Sequence, residues 1–448
     1  MAFEASREKM AQAGASELAI NVFTRYAQQV ADGATGLIPE ETIEPITKVD
    51  SAVEFAATVS SEEAREALSK TVMLKLNGGL GTSMGLDKAK SLIPVRDGKS
   101  FLDLICAQVK AARKKYDVRL PLIFMDSFRT REDTLAALPD DIALDDLPID
   151  FLQGKEPKLL VDSLEPVSWP KDPSLEWCPP GHGDIFTTLT DMGLVDKLLE
   201  QGYTYMMTSN ADNLGATPSA EIAAWFAQSG APYAPEVCVR TAADRKGGHL
   251  ARRKSDGRVI LRDTAQTPEH QMDYFTDEHR HPFFHTNNLW FNLEALSELL
   301  HETGGLVNLP LIRNKKHVDP TDKTSPEVYQ LECAMGAIVA SFDGAEPVEV
   351  PRSRFLPVKT TNDLLTLRCD AYEVTEDAHL NLVVPAAPVV DLDKQYFQFV
   401  ADFEERFPSI PSLKDARTFK VTGDWHFEEG VAFSGDVHLE GNGTIAQA

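Results

Sequence analysis

Residues 72–85 read VMLKLNGGLGTSMG, a compact apolar run that passes directly into four glycines, Gly78, Gly79, Gly81 and Gly85. Such a run predicts a buried strand, followed by a loop whose backbone can approach a phosphate or a base closely and whose NH groups can form an anion nest. A tight turn with no ligand would use the same glycines. The spacing is neither G-x-G-x-x-G nor G-x-x-x-x-G-K-[ST], which discounts dinucleotide-binding and P-loop ATPase readings. Helical spacing at 101–112, apolar runs at 120–125, 149–152 and 203–207, and a helix over 184–200 continue the pattern. Strand, glycine loop, helix and strand make a nucleotide-binding half-fold with parallel strands and crossovers.

Charge narrows the ligand. With 69 acidic and 44 basic residues the formal charge is -25, the wrong sign for a nucleic-acid binder, whose affinity rests on Lys and Arg. A phosphate ligand must then be met by a few local cations and backbone NH groups, which favours a small molecule over a polymer. The five cysteines, Cys106, Cys178, Cys238, Cys333 and Cys369, are scattered and include no C-x-x-C pair. This argues against a disulfide framework or a zinc cluster and fits a reducing compartment. Mixed charges in the first twenty residues and the lack of an eighteen-residue apolar stretch lead to the expectation of a cytoplasmic protein with no membrane partner.

At 448 residues the chain should hold one large catalytic domain with appendages. The expected divisions are a helical N-terminal region at 1–70, a catalytic domain at 71–365 and a C-terminal domain at 366–448. In that last part Val421, Phe427, Phe433, Leu439 and Ile445 recur every six residues, and Phe419, Trp425, Val431 and Val437 form a second stripe. A six-residue period predicts a short hexapeptide β-helix, with a β-meander as the alternative.

Four further segments carry chemistry. PPGHGD at 179–184 sets His182 between two glycines, with Asp184 placed to cap the following helix. SNADNLGAT at 209–217 follows a predicted strand, and Asp212 there suits a Mg2+ ion that keeps its waters and takes phosphate oxygens, unless it only starts an Asx-turn. Asn287 and Asn288 interrupt the apolar FFHTNNLWFNL at 283–293, so they either satisfy backbone or bind a polyhydroxylated ligand. Arg352, Arg354 and Lys359 cluster in VPRSRFLPVKTTNDLL at 350–365 and offer cations to a phosphate in an otherwise acidic chain.

These motifs occur together, and in order with KGG at Lys246 to Gly248, TNNLW at 286–290 and PRSRFLPVKTT at 351–361. Over roughly residues 70–415 the chain resembles the eukaryotic-type UTP-glucose-1-phosphate uridylyltransferases, or UDP-glucose pyrophosphorylases. The resemblance implies an α/β fold: a Rossmann-like nucleotidyltransferase core with a mixed sheet, plus a short C-terminal left-handed β-helix. It implies a Mg2+-dependent reaction of UTP with glucose 1-phosphate that yields UDP-glucose and pyrophosphate. By motif matching, Leu76, Gly78, Gly79 and Gly81 should hold the nucleotide, with Lys90 on the triphosphate and Met125 near the base. Gln153 and Gly181 should read the uracil edge. His182, Asn210 and Asp212 should border phosphates and sugar, with Asp212 on Mg2+. Gly248 and Asn287 should form the sugar side, and Lys359 should contact the phosphate of glucose 1-phosphate.

The chain departs from the family pattern in two places. Lys88-Ala89-Lys90-Ser91 stands where most members read G-P-K-S, and His285 stands where N-T-N-N-L-W begins with Asn. The short hexapeptide segment leads to the expectation of a monomer or dimer rather than an octamer. A broader-specificity UDP-sugar pyrophosphorylase and a nonenzymatic UDP-sugar sensor are the alternatives, and intact Lys90, Asp212 and Lys359 argue against the sensor.

Overall fold

The protein is represented by a computed structural model that describes residues 3–241, 244 and 247–446. Eight strands form one mixed sheet: β1 (Asp50–Ser51), β2 (Thr71–Asn77), β3 (Leu122–Asp126), β4 (Asp150–Leu152), β5 (Tyr205–Asn210), β6 (Tyr233–Val239), β7 (Phe283–Asn292) and β8 (Val348–Glu349). Their order is β1-β8-β6-β7-β5-β2-β3-β4. The expectation of parallel strands holds only in part. β8 is parallel to β1 and β6, whereas β7 runs antiparallel to both β5 and β6. The apolar runs that predicted the central strands are the buried ones: Val72, Met73 and Leu74 of β2 and Ile123 and Phe124 of β3 are fully enclosed.

Helix boundaries follow local chemistry. The helix Phe101–Tyr116 opens on a capping box between Ser100 and Asp103 and ends at Asp117, which adopts φ 51. The single helix expected at 184–200 is two, Ile185–Met192 and Leu194–Glu200, because Gly193 between them takes a left-handed φ of 57.

The chain divides into two compact units. One contains Met1–Leu74, Phe151–Thr208 and Ser219–Val350, and the other Lys75–Asp150, Ser209–Pro218 and Pro351–Ala448. In the first, residues Ile43–Pro45 pair with Gly248–Arg253, which pairs in turn with Val259–Asp263.

The C-terminal part of the second unit is built from parallel strands β9 (Val389–Leu392), β10 (Ser412–Thr422), β11 (Trp425–Phe427), β12 (Ala432–Glu440) and β13 (Gly443–Ile445). β10 pairs with β9 and β12, and β11 pairs with β13, all parallel. Val421 lies opposite Leu439 and Trp425 opposite Gly443, in both cases three six-residue repeats further on. Phe419 and Phe427 are buried, and their rings meet Phe433 at centroid distances of 4.8 and 6.0 Å. The six-residue stripe is thus the inward face of a parallel stack, and the meander alternative, which needs antiparallel neighbours, is excluded. No helix among the described residues is long and apolar enough to cross a membrane, and all five cysteines are buried thiols.

Candidate functional site

In the second unit the glycine loop leaves β2 at Asn77 and closes on itself. The Lys90 amide donates to the Gly79 carbonyl at 3.0 Å and the Met84 amide to Gly81 at 2.8 Å. Gly81 is required here: its φ is 67, and a Cβ would stand 2.9 Å from Leu86 Cδ1. Closure leaves Gly79 exposed and Leu76 and Gly78 half-buried, and brings Lys90 back to the strand end. The extra lysine of the altered motif, Lys88, stays exposed while Ala89 fills the buried position, so only Lys90 faces inward.

SNADNLGAT follows β5, and the Ala211 amide donates to the Leu76 carbonyl at 3.0 Å. The Asx-turn weighed for Asp212 belongs instead to Asn213, whose Oδ1 accepts from the Gly215 amide at 3.1 Å and from the Leu356 amide at 2.8 Å. Asp212 is left for other work. Its carbonyl accepts from the Val358 amide at 3.1 Å, which places the neighbouring Lys359 beside it. Asp363 Oδ2 then accepts the Lys359 amide at 2.8 Å and completes a capping box for the helix Thr361–Arg368.

Three side chains meet as a result. Asp212 Oδ2 accepts from Lys90 Nζ at 2.7 Å and from Lys359 Nζ at 3.0 Å, and Lys90 Nζ also donates to the Val358 carbonyl. Burial alone would push the Asp212 carboxyl up, but the charges of Lys359 and Lys90 and their hydrogen bonds hold it down at about 2. The other oxygen, Oδ1, is buried and has no hydrogen-bond partner among the described residues. A lone, ionised, unsatisfied carboxylate oxygen fits a divalent cation that keeps its waters and takes its remaining ligands from phosphate.

Arg354 behaves differently from the phosphate-meeting cation its motif allowed. It is buried, and its guanidinium donates to the Thr217 carbonyl at 3.1 Å, while Arg352 lies over the Phe355 ring at 5.2 Å. Met125 is buried in β3, next to Asp126. Asn77 Nδ2 donates to Asp126 Oδ1 at 2.8 Å, and burial pushes the Asp126 carboxyl up to about 6. Asn210 is half-buried at the end of β5.

In the first unit Gln153 precedes Gly154, whose amide donates to Asp184 Oδ2 at 2.5 Å. Asp184 therefore ties the Gln153 segment to PPGHGD. It does not cap the following helix as expected, because a 3-10 turn over His182–Asp184 already makes its backbone helical and turns its carboxylate to Gly154. Burial pushes this carboxyl, too, up to about 6. Gly181 adopts φ 81, and a Cβ there would stand 2.6 Å from the Cys333 carbonyl oxygen. His182 Nδ1 accepts from the Met335 amide at 2.9 Å.

Gly248 begins a buried strand, where a Cβ would meet Leu261 Cδ1 at 2.8 Å, and the neighbouring Gly247 leaves room for the Phe284 ring. Lys246 of the KGG motif lies outside the described residues. Asn287 sits in β7 with φ 61. His285, the departure from the family pattern, accepts the Asn287 amide on Nδ1 at 3.3 Å, as an Asn side chain does in an Asx-turn. Burial and nearby His182 lower its pKa to about 3, so the ring stays neutral near pH 7.

Sequence reasoning missed Lys75, Asn213 and Asp363. Lys75 is fully buried in β2 and donates to Ser209 Oγ at 2.8 Å and to the Ala216 carbonyl at 2.7 Å, which braces the SNADNLGAT loop. A lysine inside an unbroken apolar strand was the available signal. Asn213 and Asp363 gave none, since either residue type caps turns and helices anywhere.

Comparison with known proteins identifies the family. The sequence profile of UTP-glucose-1-phosphate uridylyltransferase matches residues 20–434. The probable enzyme of that name from Schizosaccharomyces pombe is 36% identical, over 93% of this chain and 82% of its own length. The Solanum tuberosum enzyme is 38% identical, over 93% and 86%. Among solved structures, the UDP-glucose pyrophosphorylase from Leishmania major, known in open and closed structures, superposes with a TM-score of 0.91 at 41% identity, covering 99% of this chain and 97% of that one. A Trypanosoma brucei UDP-glucose phosphorylase gives 0.88 at 40% identity, covering 98% and 94%. A glycine loop at a strand end, with two lysines on one buried carboxylate, here belongs to a nucleotidyltransferase. Within that class, the chain belongs to the UTP-glucose-1-phosphate uridylyltransferase family.

Proposed function

We propose that this chain converts UTP and α-D-glucose 1-phosphate to UDP-glucose and pyrophosphate. The observation that carries this reading is the convergence of Lys90 and Lys359 on Asp212 in a member of this family. The attacking group is a phosphate oxygen, largely ionised near neutrality because its second pKa is about 6, so no general base is required. The task is to hold two repelling anions in line and to neutralise the charge that grows at the α-phosphorus and on the departing pyrophosphate.

Lys90 and Lys359 supply that charge, Lys90 toward the triphosphate and Lys359 toward the sugar phosphate. Their shared hold on Asp212 keeps both side chains pre-placed. Asp212 Oδ1 would hold Mg2+, which supplies charge neutralisation at the phosphates. In this reading Leu76, Gly78, Gly79, Gly81, Met125 and Asn210 receive the nucleotide. Gln153 and Gly181 read the uracil edge, and His182, Gly248 and Asn287 meet the sugar phosphate. The parallel C-terminal stack supports a left-handed β-helix as its finer form. A cytoplasmic monomer or dimer completes the proposal.

The test is pyrophosphate release from purified protein with Mg2+, each of UTP, ATP, CTP, GTP and dTTP, and a panel of sugar 1-phosphates. Release confined to UTP with glucose 1-phosphate is the expected result. Release with several sugars would replace it with the broader specificity, and no release from protein that binds UDP-glucose would refute catalysis.

A further inference from the structure

The segment that carries Asn287 is held by one buried carboxylate. Glu236 has no exposed surface and sits where the pairing of β6 with β7 shifts register, between Pro235 opposite Leu289 and Val237 opposite His285. Its Oε2 accepts from Asn288 Nδ2 and its Oε1 from Trp290 Nε1, each at 2.9 Å. Its carbonyl accepts from Thr286 Oγ1 at 2.8 Å, and Thr286 Oγ1 accepts the Asn288 amide at 3.1 Å. His285 Nδ1 takes the Asn287 amide from the other side.

The polar side chains at 285, 286, 288 and 290 thus bond within the strand pair and frame Asn287, whose φ of 61 is left-handed. A β-strand that served only the core would gain by filling these places with apolar residues, because a buried carboxylate is tolerated only when fully hydrogen-bonded. A buried polar network built around one residue with a left-handed backbone angle points to work at that residue.

We propose that Glu236 is a positioning residue for the sugar phosphate: through Asn288 and Trp290 it fixes the bulge that presents Asn287. This rests on the reading of Asn287 as a sugar-side residue. Because the carboxylate accepts on both oxygens, Glu236→Gln sets an NH2 group against one of the two donors. The bulge should loosen while the glycine loop is untouched.

The experiment is steady-state kinetics on the full chain with both substrates varied. Glu236→Gln is expected to raise KM for glucose 1-phosphate about tenfold and to leave KM for UTP within about twofold. Adding Asn288→Asp restores a complementary set, since the introduced glutamine can then donate to the new carboxylate and accept from Trp290. The double variant should return the sugar KM to within about threefold of the parent. An unchanged sugar KM, an equal rise in both KM values, or no rescue by the double variant would each overturn the proposal. If Glu236→Gln does not fold, Trp290→Phe removes a single donor. It should raise the sugar KM alone, by about threefold, and no change there would also overturn the proposal. Asn287→Gly separates the two readings, because it keeps the backbone angle and deletes the side chain. An unchanged sugar KM in that variant refutes the sugar-side role itself, whereas a raised one alongside a silent Glu236→Gln refutes only the positioning.

Discussion

The lysine pair on Asp212 and the bulge around Asn287 solve opposite problems. The first concentrates charge: two ammonium groups share one carboxylate oxygen, and Lys359 keeps 58% of its side chain exposed. The second excludes solvent, and a buried carboxylate is spent on neutral donors from Asn288 and Trp290. Under the proposed function, mobile and highly charged phosphates need cations that can leave Asp212 for substrate. A site that tells one hydroxyl arrangement from another needs donors and acceptors that do not move. Mutations at the first should strike turnover and leave folding intact, and mutations in the buried loops should strike stability or a single KM.

The largest expected effect is at the exposed lysine. Lys359→Ala should lower kcat by about 10³-fold, with the melting temperature unchanged within about 2 °C because the side chain is half in water. Near-normal turnover in a steady-state assay would remove Lys359 from the mechanism. Asp212→Asn should raise the Mg2+ concentration for half-maximal rate by at least about tenfold, as read by titrating Mg2+ against a chelator. An unchanged titration would send the metal elsewhere.

The next effects belong to the buried loops. Gly181→Ala forces a Cβ to within 2.6 Å of the Cys333 carbonyl at a left-handed φ, which should cost about 2 kcal/mol of stability in a denaturant titration. A loss under about 0.5 kcal/mol would mean that the PPGHGD turn yields easily.

The smallest effect tests burial itself. The Asp126 carboxyl, pushed up to about 6 by burial, holds its proton more tightly in the folded chain than in the unfolded one. Its contribution to stability therefore falls as pH rises from about 4 to about 6 and stays lost above that. Asp126→Asn should raise stability at pH 7 by about 1 kcal/mol and flatten thermal stability across that window, the remaining slope belonging to the other carboxyls that burial pushes up, Asp184, Glu156, Asp263 and Glu332. An unchanged slope would show that Asp126 ionises freely.

Much of the architecture was legible because it is written in local patterns. The apolar run Val72–Leu76 became β2, the glycines after it made the loop, and the two six-residue stripes, one with Phe427 and Phe433 and the other with Phe419, met in the interior of a parallel stack. Expectations failed where a local preference met a competing partner. Asp184 reads as a helix cap until Gly154 takes its carboxylate, and the Asx-turn that stood as the alternative for Asp212 belongs to Asn213. His285 reads as a break in the motif, yet its Nδ1 does the work of an Asn oxygen.

By itself, then, the sequence determined strands, turns, the residue types of the site and the family, because these depend on periodicity and on motifs a few residues long. Only the tertiary structure decided which groups share a proton or a charge. Lys90 and Lys359 lie 122 and 147 residues from the Asp212 they hold, and the unsatisfied Oδ1, the raised Asp126 carboxyl and the enclosed Glu236 carboxylate all arise from burial. Burial and electrostatic coupling depend on distance through space, and chain order does not encode that distance until the fold has closed.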